Sequence, residues 1–214
     1  MLYSIINKII ISMEDKKLNQ EESLELITQM IANSKRRLEV GSGNTFLVWG
    51  YATAVVSLAV YLLVFFTGSY IWCWGWFAIP VIGWLYILSK EQWKQRTVIT
   101  YTDKVIDAIW MVLGIMFFGA VMVLMFTNAM NVMLPLSLIL CAVGTSFTGI
   151  VLRERFLIFS PVVGFITGMI LLGILVNNPY SININWFLIF GACFVITMVI
   201  PGHLLNSKAR KENV

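Results

Sequence analysis

Charge is the scarcest property of this chain of 214 residues. Only 12% of its residues are Asp, Glu, Lys or Arg, whereas 59% are hydrophobic. An ordinary soluble domain has about 25% charged residues, so a soluble fold of this size would lack the polar atoms to cover its surface. Intrinsic disorder is excluded for the opposite reason, because the chain is too hydrophobic. These proportions indicate an integral membrane protein with several spans.

Histidine and cysteine are scarce as well, with one His and three Cys in the whole chain. Three cysteines without paired spacing exclude a disulfide scaffold. The single histidine, His203, lacks the Cys, Asp or Glu partners that a metal site requires, so we assign it an interfacial or helix-capping role. No nucleophile–base pair, HExxH-type motif, Walker loop or dinucleotide fingerprint occurs. We therefore predict a protein that is not an enzyme and that uses no cofactor or metal.

Six apolar runs are long enough to cross a bilayer as helices, which takes roughly 20 residues each. They are twice the length of a transmembrane strand and do not alternate in polarity as such strands do. The predicted fold is therefore all-α, a bundle of six transmembrane helices. The predicted spans are residues 45–66, 70–88, 105–126, 132–152, 157–176 and 184–205.

The basic residues predict the orientation of these spans. All 15 Lys and Arg lie before span one, between spans two and three, between spans four and five, or after span six. The other connections, 67–69, 127–131 and 177–183, hold no charge. Because basic residues stay on the cytoplasmic side, we predict a bacterial cytoplasmic membrane protein with both termini in the cytoplasm. The short uncharged connections make three antiparallel hairpins.

The same charge pattern explains the net charge of +4. Contact with anionic lipid headgroups accounts for it, so no nucleic-acid partner is predicted. The opposite, uncharged side is rich in aromatic residues, which are typical of an interfacial belt. These residues are Tyr70, Trp72, Trp74, Trp76, Tyr180 and Trp186.

The cytoplasmic part of the chain divides into an N-terminal segment, 1–44, and a short basic tail, 206–214, on either side of the membrane domain, 45–205. Asn19 and Glu22 form a helix-capping pattern, and Gly41 is a helix-ending residue. They predict an amphipathic helix at about 20–40, followed by a hinge at residues 42–44. Met13 precedes an ordinary cytoplasmic sequence, so either Met1 or Met13 is the native start.

This N-terminal helix carries one apolar stripe at helical spacing. The stripe must be covered by lipid, by the rest of the chain, by a second copy in a homo-oligomer, or by a cytosolic regulatory protein, and the spacing does not choose among them. Its residues are Leu24, Ile27, Ile31 and Leu38.

Asp107 is the only charged residue inside the predicted spans. Charges within a membrane are costly and mark functional sites by default. Asp107 lies in the first turn of predicted span three, with Lys104 three residues earlier as a candidate partner. It is either an acid stabilised by the helix dipole or an intramembrane site for a proton or cation.

Uncharged polar residues form one face of span four, namely Ser137, Cys141, Thr145 and Thr148. Span one has a similar small-residue face, and Gly164 and Gly168 in span five have GxxxG spacing. Small and hydroxylated residues either let helices pack closely or line a polar cavity. The sequence leaves both interpretations open.

Residues 29–51 also carry three short runs, NSKRR (33–37), GSGN (41–44) and WGY (49–51). This segment resembles a group of small bacterial multi-pass membrane proteins of unknown function, whose genes lie beside small winged-helix transcriptional regulators. The resemblance implies that the cytoplasmic helix meets a soluble regulator.

The predicted function is a structural, sensory or regulatory role that uses the cytoplasmic helix. The alternative is a small transporter or channel lined by the Ser, Thr and Gly faces of spans one, four and five.

Overall fold

The structure is a computed structural model that describes residues 24–25, 43–93, 101–178 and 183–212. Within these ranges every regular element is a helix and no strand occurs. The chain forms two compact units, Met1–Glu39 and Val40–Val214. The second unit contains six helices that are long and apolar enough to cross a membrane, which confirms the predicted all-α fold of six spans. The protein is therefore an integral multi-pass membrane protein.

The six spans are numbered in chain order. Their bounds are Asn44–Thr67, Tyr70–Ser89, Tyr101–Phe126, Met130–Leu152, Arg155–Asn177 and Asn185–Lys211.

Most bounds agree with the predicted ones to within two residues, and the two larger differences are at the start of span three and at the end of span six. Span three begins at Tyr101 rather than at residue 105. The helix of span six continues to Glu212, although the sequence predicted a tail from residue 206. Leu205 and Ala209 are both 0% exposed. They continue an apolar face at a spacing of four residues. Burial of that face stabilises the helix in the basic segment that follows residue 205.

Several spans change helix type along their length. Span two starts as a 3₁₀-helix, Tyr70–Phe77, and continues as the α-helix Ala78–Trp93. Span four has a 3₁₀ turn, Met130–Val132, before Met133–Leu152. Span five consists of Arg155–Phe159 and Pro161–Asn177. Span six runs as Asn185–Phe194, a π-helical turn at Val195–Val199, and Ile200–Glu212.

The spans form the expected hairpins, one with two, three with four and five with six. Span one also packs along span six, and span four packs most extensively on span five. Span six is the most central, with 56% of its apolar window buried inside the protein. Spans two and three lie at the periphery, where the buried shares are 11% and 6%.

One apolar cluster lies where span one ends and span six begins. Val56, Val60 and Val64 pack there with Phe187. Trp76 joins them, with its ring centroid 5.7 Å from that of Phe187. We call this the aromatic end of the bundle.

Part of the predicted aromatic belt thus points inward. Trp186 is only 7% exposed, so its assignment to the belt was wrong. It lies one residue from Phe187, on the stretch of span six that packs against span one. Tyr70, Trp72 and Trp74 are exposed, as a belt requires, and Tyr180 is outside the described residues.

Candidate functional site

The candidate site lies at the end of the bundle where span one begins, span six ends, and a tight turn connects spans four and five. We call it the basic end. It begins with Gly43, the residue that precedes span one. The Gly43 N–H donates to Asn206 Oδ1 at 2.9 Å, and Asn206 Nδ2 donates to Asn44 Oδ1 at 2.7 Å. One side chain of span six therefore binds both residues at the start of span one.

Two glycines allow this approach. A Cβ atom added to Gly43 would lie 2.2 Å from the Gly202 carbonyl oxygen, and one added to Gly202 would lie 3.1 Å from the Gly43 carbonyl oxygen. The two backbones are therefore in direct contact, as small residues permit between membrane helices. We refer to Gly43, Asn44, Gly202 and Asn206 as the clamp. The expected hinge at residues 42–44 is thus held to span six at Gly43 and Asn44, while Ser42 is outside the described residues.

His203 lies beside the clamp and contacts span one. A hydrogen bond of 2.8 Å joins His203 Nε2 and Tyr51 Oη, and the two rings meet edge to face with centroids 6.0 Å apart. This contact lies between two spans, at the margin of the bundle.

The third contact at the basic end is an ion pair. Lys208 Nζ lies 2.5 Å from Glu154 Oε1. The Glu154 side chain is 8% exposed, whereas the Lys208 side chain is 45% exposed. A carboxylate removed from water in this way needs a charged or hydrogen-bonding partner. Lys208 provides that partner and joins span six to the turn between spans four and five.

The turn itself explains why Glu154 points inward. Arg153 adopts a left-handed backbone conformation with φ of 58°. Its N–H donates to Ile150 O, and the Glu154 N–H donates to Gly149 O at 2.9 Å. These two bonds form a Schellman motif, in which carbonyl groups of the last turn of span four accept hydrogen bonds as the helix ends. Gly149 fits because a Cβ there would lie 2.7 Å from the Ile158 backbone nitrogen.

The polar face of span four is turned toward neighbouring helices. Ser137 Oγ donates to Leu134 O at 2.8 Å, Thr145 Oγ1 to Cys141 O at 2.8 Å, and Thr148 Oγ1 to Gly144 O at 2.9 Å. Such bonds satisfy hydroxyl groups within their own helix.

A residue of span three also forms a hydrogen bond with Thr148. Trp110 Nε1 donates to Thr148 Oγ1 at 3.2 Å. Both Thr145 and Thr148 are at most 1% exposed. These hydroxyls therefore act as contacts between and within helices, and a polar cavity at this face stays a prediction.

The small residues of the other predicted faces also form close helix contacts. A Cβ added to Gly50 would lie 2.7 Å from Val199 Cγ2, and one added to Gly168 would lie 3.0 Å from the Pro135 carbonyl oxygen. Gly164 approaches the side chain of Thr197. Within the described ranges, the buried Ser57 Oγ on the face of span one has no hydrogen-bond partner.

Asp107 is exposed and lies in the second turn of span three, because that helix begins at Tyr101. The first-turn acid is Asp103 instead, so the predicted first-turn position of Asp107 was wrong. Among the described residues, no ion pair within 4.0 Å joins Asp107 to Lys104. An intramembrane charge site at Asp107 stays a prediction.

The N-terminal stripe is described only at Leu24, which is helical and 63% exposed. Ile27, Ile31 and Leu38 lie outside the described residues.

Sequence reasoning missed the ion pair and the clamp. The sequence did contain an indication for Glu154, since it is an acid between two arginines in a short turn. Its partner is 54 residues away, and no local spacing indicates it. Asn206 was assigned to the tail, so its contact with span one was not considered.

In the parts of the chain that the structure describes, no group of three or more His, Cys, Asp or Glu side chains is arranged to hold a metal ion. Comparison of the chain with protein-family models, with curated proteins and with solved structures finds no match. We therefore infer function from the contacts at the basic end.

Proposed function

We propose that this protein is a non-enzymatic regulatory or sensory protein of a bacterial cytoplasmic membrane, with both termini in the cytoplasm. The observation that carries the proposal is the clamp, in which Asn206 of span six binds the backbone of Gly43. The chain that leaves Gly43 toward the N-terminus starts from a point held by span six. A displacement of span six at the basic end would therefore move the start of the N-terminal segment.

Two further features support this coupling. Lys208 connects the same part of span six to Glu154 in the turn between spans four and five, and His203 connects it to Tyr51 in span one. Hydrogen bonds depend steeply on distance and angle, and the contact of Lys208 with Glu154 is a hydrogen bond as well as an ion pair, so these contacts either form or break. In this proposal, a change in packing among spans one, four, five and six reaches the N-terminal segment through these contacts.

The output surface in this proposal is the apolar stripe of Leu24, Ile27, Ile31 and Leu38. Its partner is a cytosolic regulatory protein or a second copy of the chain, either of which would bury the stripe as a helix in a groove. The exposure of Leu24 is consistent with such a surface.

Cross-linking in native membranes, followed by mass spectrometry, tests the output surface. Ile27→Asp or Ile31→Asp should abolish cross-links from the N-terminal segment to another protein or to a second copy, because a charge in an apolar contact is costly. Gln29→Asp is the matched control, since it adds the same charge nearly opposite the stripe on a helix with 100° per residue. Unchanged cross-links in both Ile variants would refute the proposal.

The coupling has its own test. Asn206→Ala removes both hydrogen bonds of the clamp, so it should change the yield of these cross-links while the stripe is intact. Ser207→Ala alters an exposed neighbouring position and should leave the yield as it is. Equal cross-link yields from Asn206→Ala and Ser207→Ala would show that the clamp does not affect binding by the N-terminal stripe.

The orientation is tested by reporter fusions. A reporter that is active only in the cytoplasm should be inactive at Asn128, in the turn between spans three and four, and active when fused to the C-terminus. Activity at Asn128 would reverse the orientation and with it the cytoplasmic role of the helix.

A further inference from the structure

A groove of about 250 Å³ lies between spans four and five, near the basic end. Four of its lining residues are 40–56% exposed, so it opens to the outside of the bundle. Its polar contribution is the side chain of Ser146, whose hydroxyl donates to the Ile158 carbonyl at 3.2 Å. The apolar residues that line it include Val143, Phe147, Ile150, Pro161, Val162 and Phe165.

Two arginines belong to the turn between spans four and five, whose residues line this groove on either side of the turn. Ile150, a lining residue, accepts a hydrogen bond through its carbonyl oxygen from the Arg153 N–H at 3.1 Å. Arg155 begins the first helical segment of span five, seven residues before Val162. Seven residues are about two helical turns, and the Ser160 N–H, which donates to Phe156 O at 3.0 Å, continues the helical turn between the two segments of span five. Arg155 and Val162 therefore lie on one side of span five.

The charge at this position is positive because of how the turn folds. Residues 153–155 read Arg-Glu-Arg, and Glu154 points inward to Lys208. Both arginines are exposed, and neither has an ion-pair partner within 4.0 Å in the described part of the chain. The carboxylate that would otherwise offset one of them is already paired.

We propose that the groove and the two arginines bind one anionic phospholipid, with an acyl chain in the groove and the phosphate at Arg153 and Arg155. The apolar lining faces the region that lipid chains occupy around a membrane bundle. Its volume is below the roughly 300–1,000 Å³ of pockets that enclose a drug-sized ligand, which suits part of a chain. Guanidinium groups bind phosphate oxygens through paired hydrogen bonds, and basic pockets at such positions favour anionic headgroups.

Electron paramagnetic resonance of spin-labelled lipids tests the headgroup contact. The wild-type protein in a phosphatidylcholine bilayer should immobilise chain-labelled phosphatidylglycerol more than labelled phosphatidylcholine. The variants Arg153→Asn and Arg155→Gln should each lower the relative affinity for phosphatidylglycerol by up to about fivefold, the factor that corresponds to roughly 1 kcal/mol per basic residue at a membrane surface. Asn is used at residue 153 because it tolerates the left-handed backbone.

Arg210→Gln is the control for this arm, since it removes an exposed positive charge that is not in the turn. It should leave the preference for phosphatidylglycerol unchanged. A preference that survives in the double Arg153→Asn/Arg155→Gln variant would overturn the proposal. So would its removal by inorganic phosphate at millimolar level and constant ionic strength, where screening does not change, because the site would then prefer a free anion to a lipid.

The acyl-chain contact is tested by filling the groove. Val162 and Val163 are 44% and 45% exposed, but only Val162 is among the residues that line the groove. Val162→Trp should reduce the immobilised fraction of phosphatidylglycerol, whereas Val163→Trp should not. Both variants should unfold at the wild-type temperature, since the added rings replace exposed side chains. Equal lipid binding by the two variants would show that the groove does not hold the chain.

Discussion

At the basic end of the bundle, the clamp and the Glu154–Lys208 pair connect the spans through directional contacts between polar atoms. At the aromatic end, Val60, Val64, Phe187 and Trp76 pack through apolar surface alone. Apolar contact is non-directional and sums many weak interactions among many atoms. A hydrogen bond instead sets the distance and direction between two specific atoms, and an ion pair sets which two charged groups meet. The aromatic end therefore supplies cohesion, and the basic end supplies defined geometry.

The largest effect should come from Gly43→Ala at the basic end. The new methyl group would meet the Gly202 carbonyl oxygen, so the clamp must open and lose its two hydrogen bonds. We expect a loss of about 3 kcal/mol in unfolding free energy, at the upper end for overpacked sites. Unfolding of the solubilised protein by heat or by added denaturing detergent measures it.

Gly114→Ala is the control for this variant. A Cβ at Gly114 meets nothing within 4 Å, so it should be neutral or stabilise the helix slightly. If the two variants are equally stable, the contact between Gly43 and Gly202 is not close, and the contrast between the two ends weakens.

A smaller effect should follow from Phe187→Ala at the aromatic end. The residue is 3% exposed and packs against Trp76. In a soluble core this change costs roughly 3–5 kcal/mol. In a bilayer the transfer part is small, because lipid is as apolar as the protein. We therefore expect about 2 kcal/mol in the same unfolding assay, with Phe66→Ala, at 79% exposure, close to neutral. A loss confined to Phe66→Ala would contradict the assigned core.

The smallest effect should come from Lys208→Ala. Removing one partner of a fully buried pair costs about 3–5 kcal/mol. Because the Lys208 side chain is 45% exposed, water screens the pair and about 1–2 kcal/mol is expected. Adding Glu154→Gln should restore much of this loss, since no buried charge is then left alone. Lys211→Ala controls for net charge, and a double variant no more stable than Lys208→Ala would argue against the pair.

Sequence alone predicted the spans well because most of the helices end close to the ends of the apolar runs. Span six has the largest difference. Its last turns are basic, and Leu205 and Ala209 form a buried apolar face along them. Hydropathy averages over all faces of a helix, so it does not register one buried face in a charged segment.

The contacts of the basic end were beyond sequence reasoning for a related reason. Lys208 was counted among the basic residues of the tail, Glu154 lies in the connection between spans four and five, and their pairing depends on how span six packs against the turn. The hydroxyls of span four were visible as a stripe. That they are satisfied by their own backbone and by Trp110 depends on rotamers and on the approach of span three.

The π-helical turn at Val195–Val199 determines the direction in which the later side chains of span six point. There the Ile200 N–H donates to Val195 O, five residues back, so the turn accommodates one residue more than an α-helix would. One residue corresponds to about 100° of rotation. Deleting a residue here would leave span six apolar and able to insert. It would also turn His203, Asn206 and Lys208 away from their partners, so the rotational setting of the whole basic end depends on this one irregular turn.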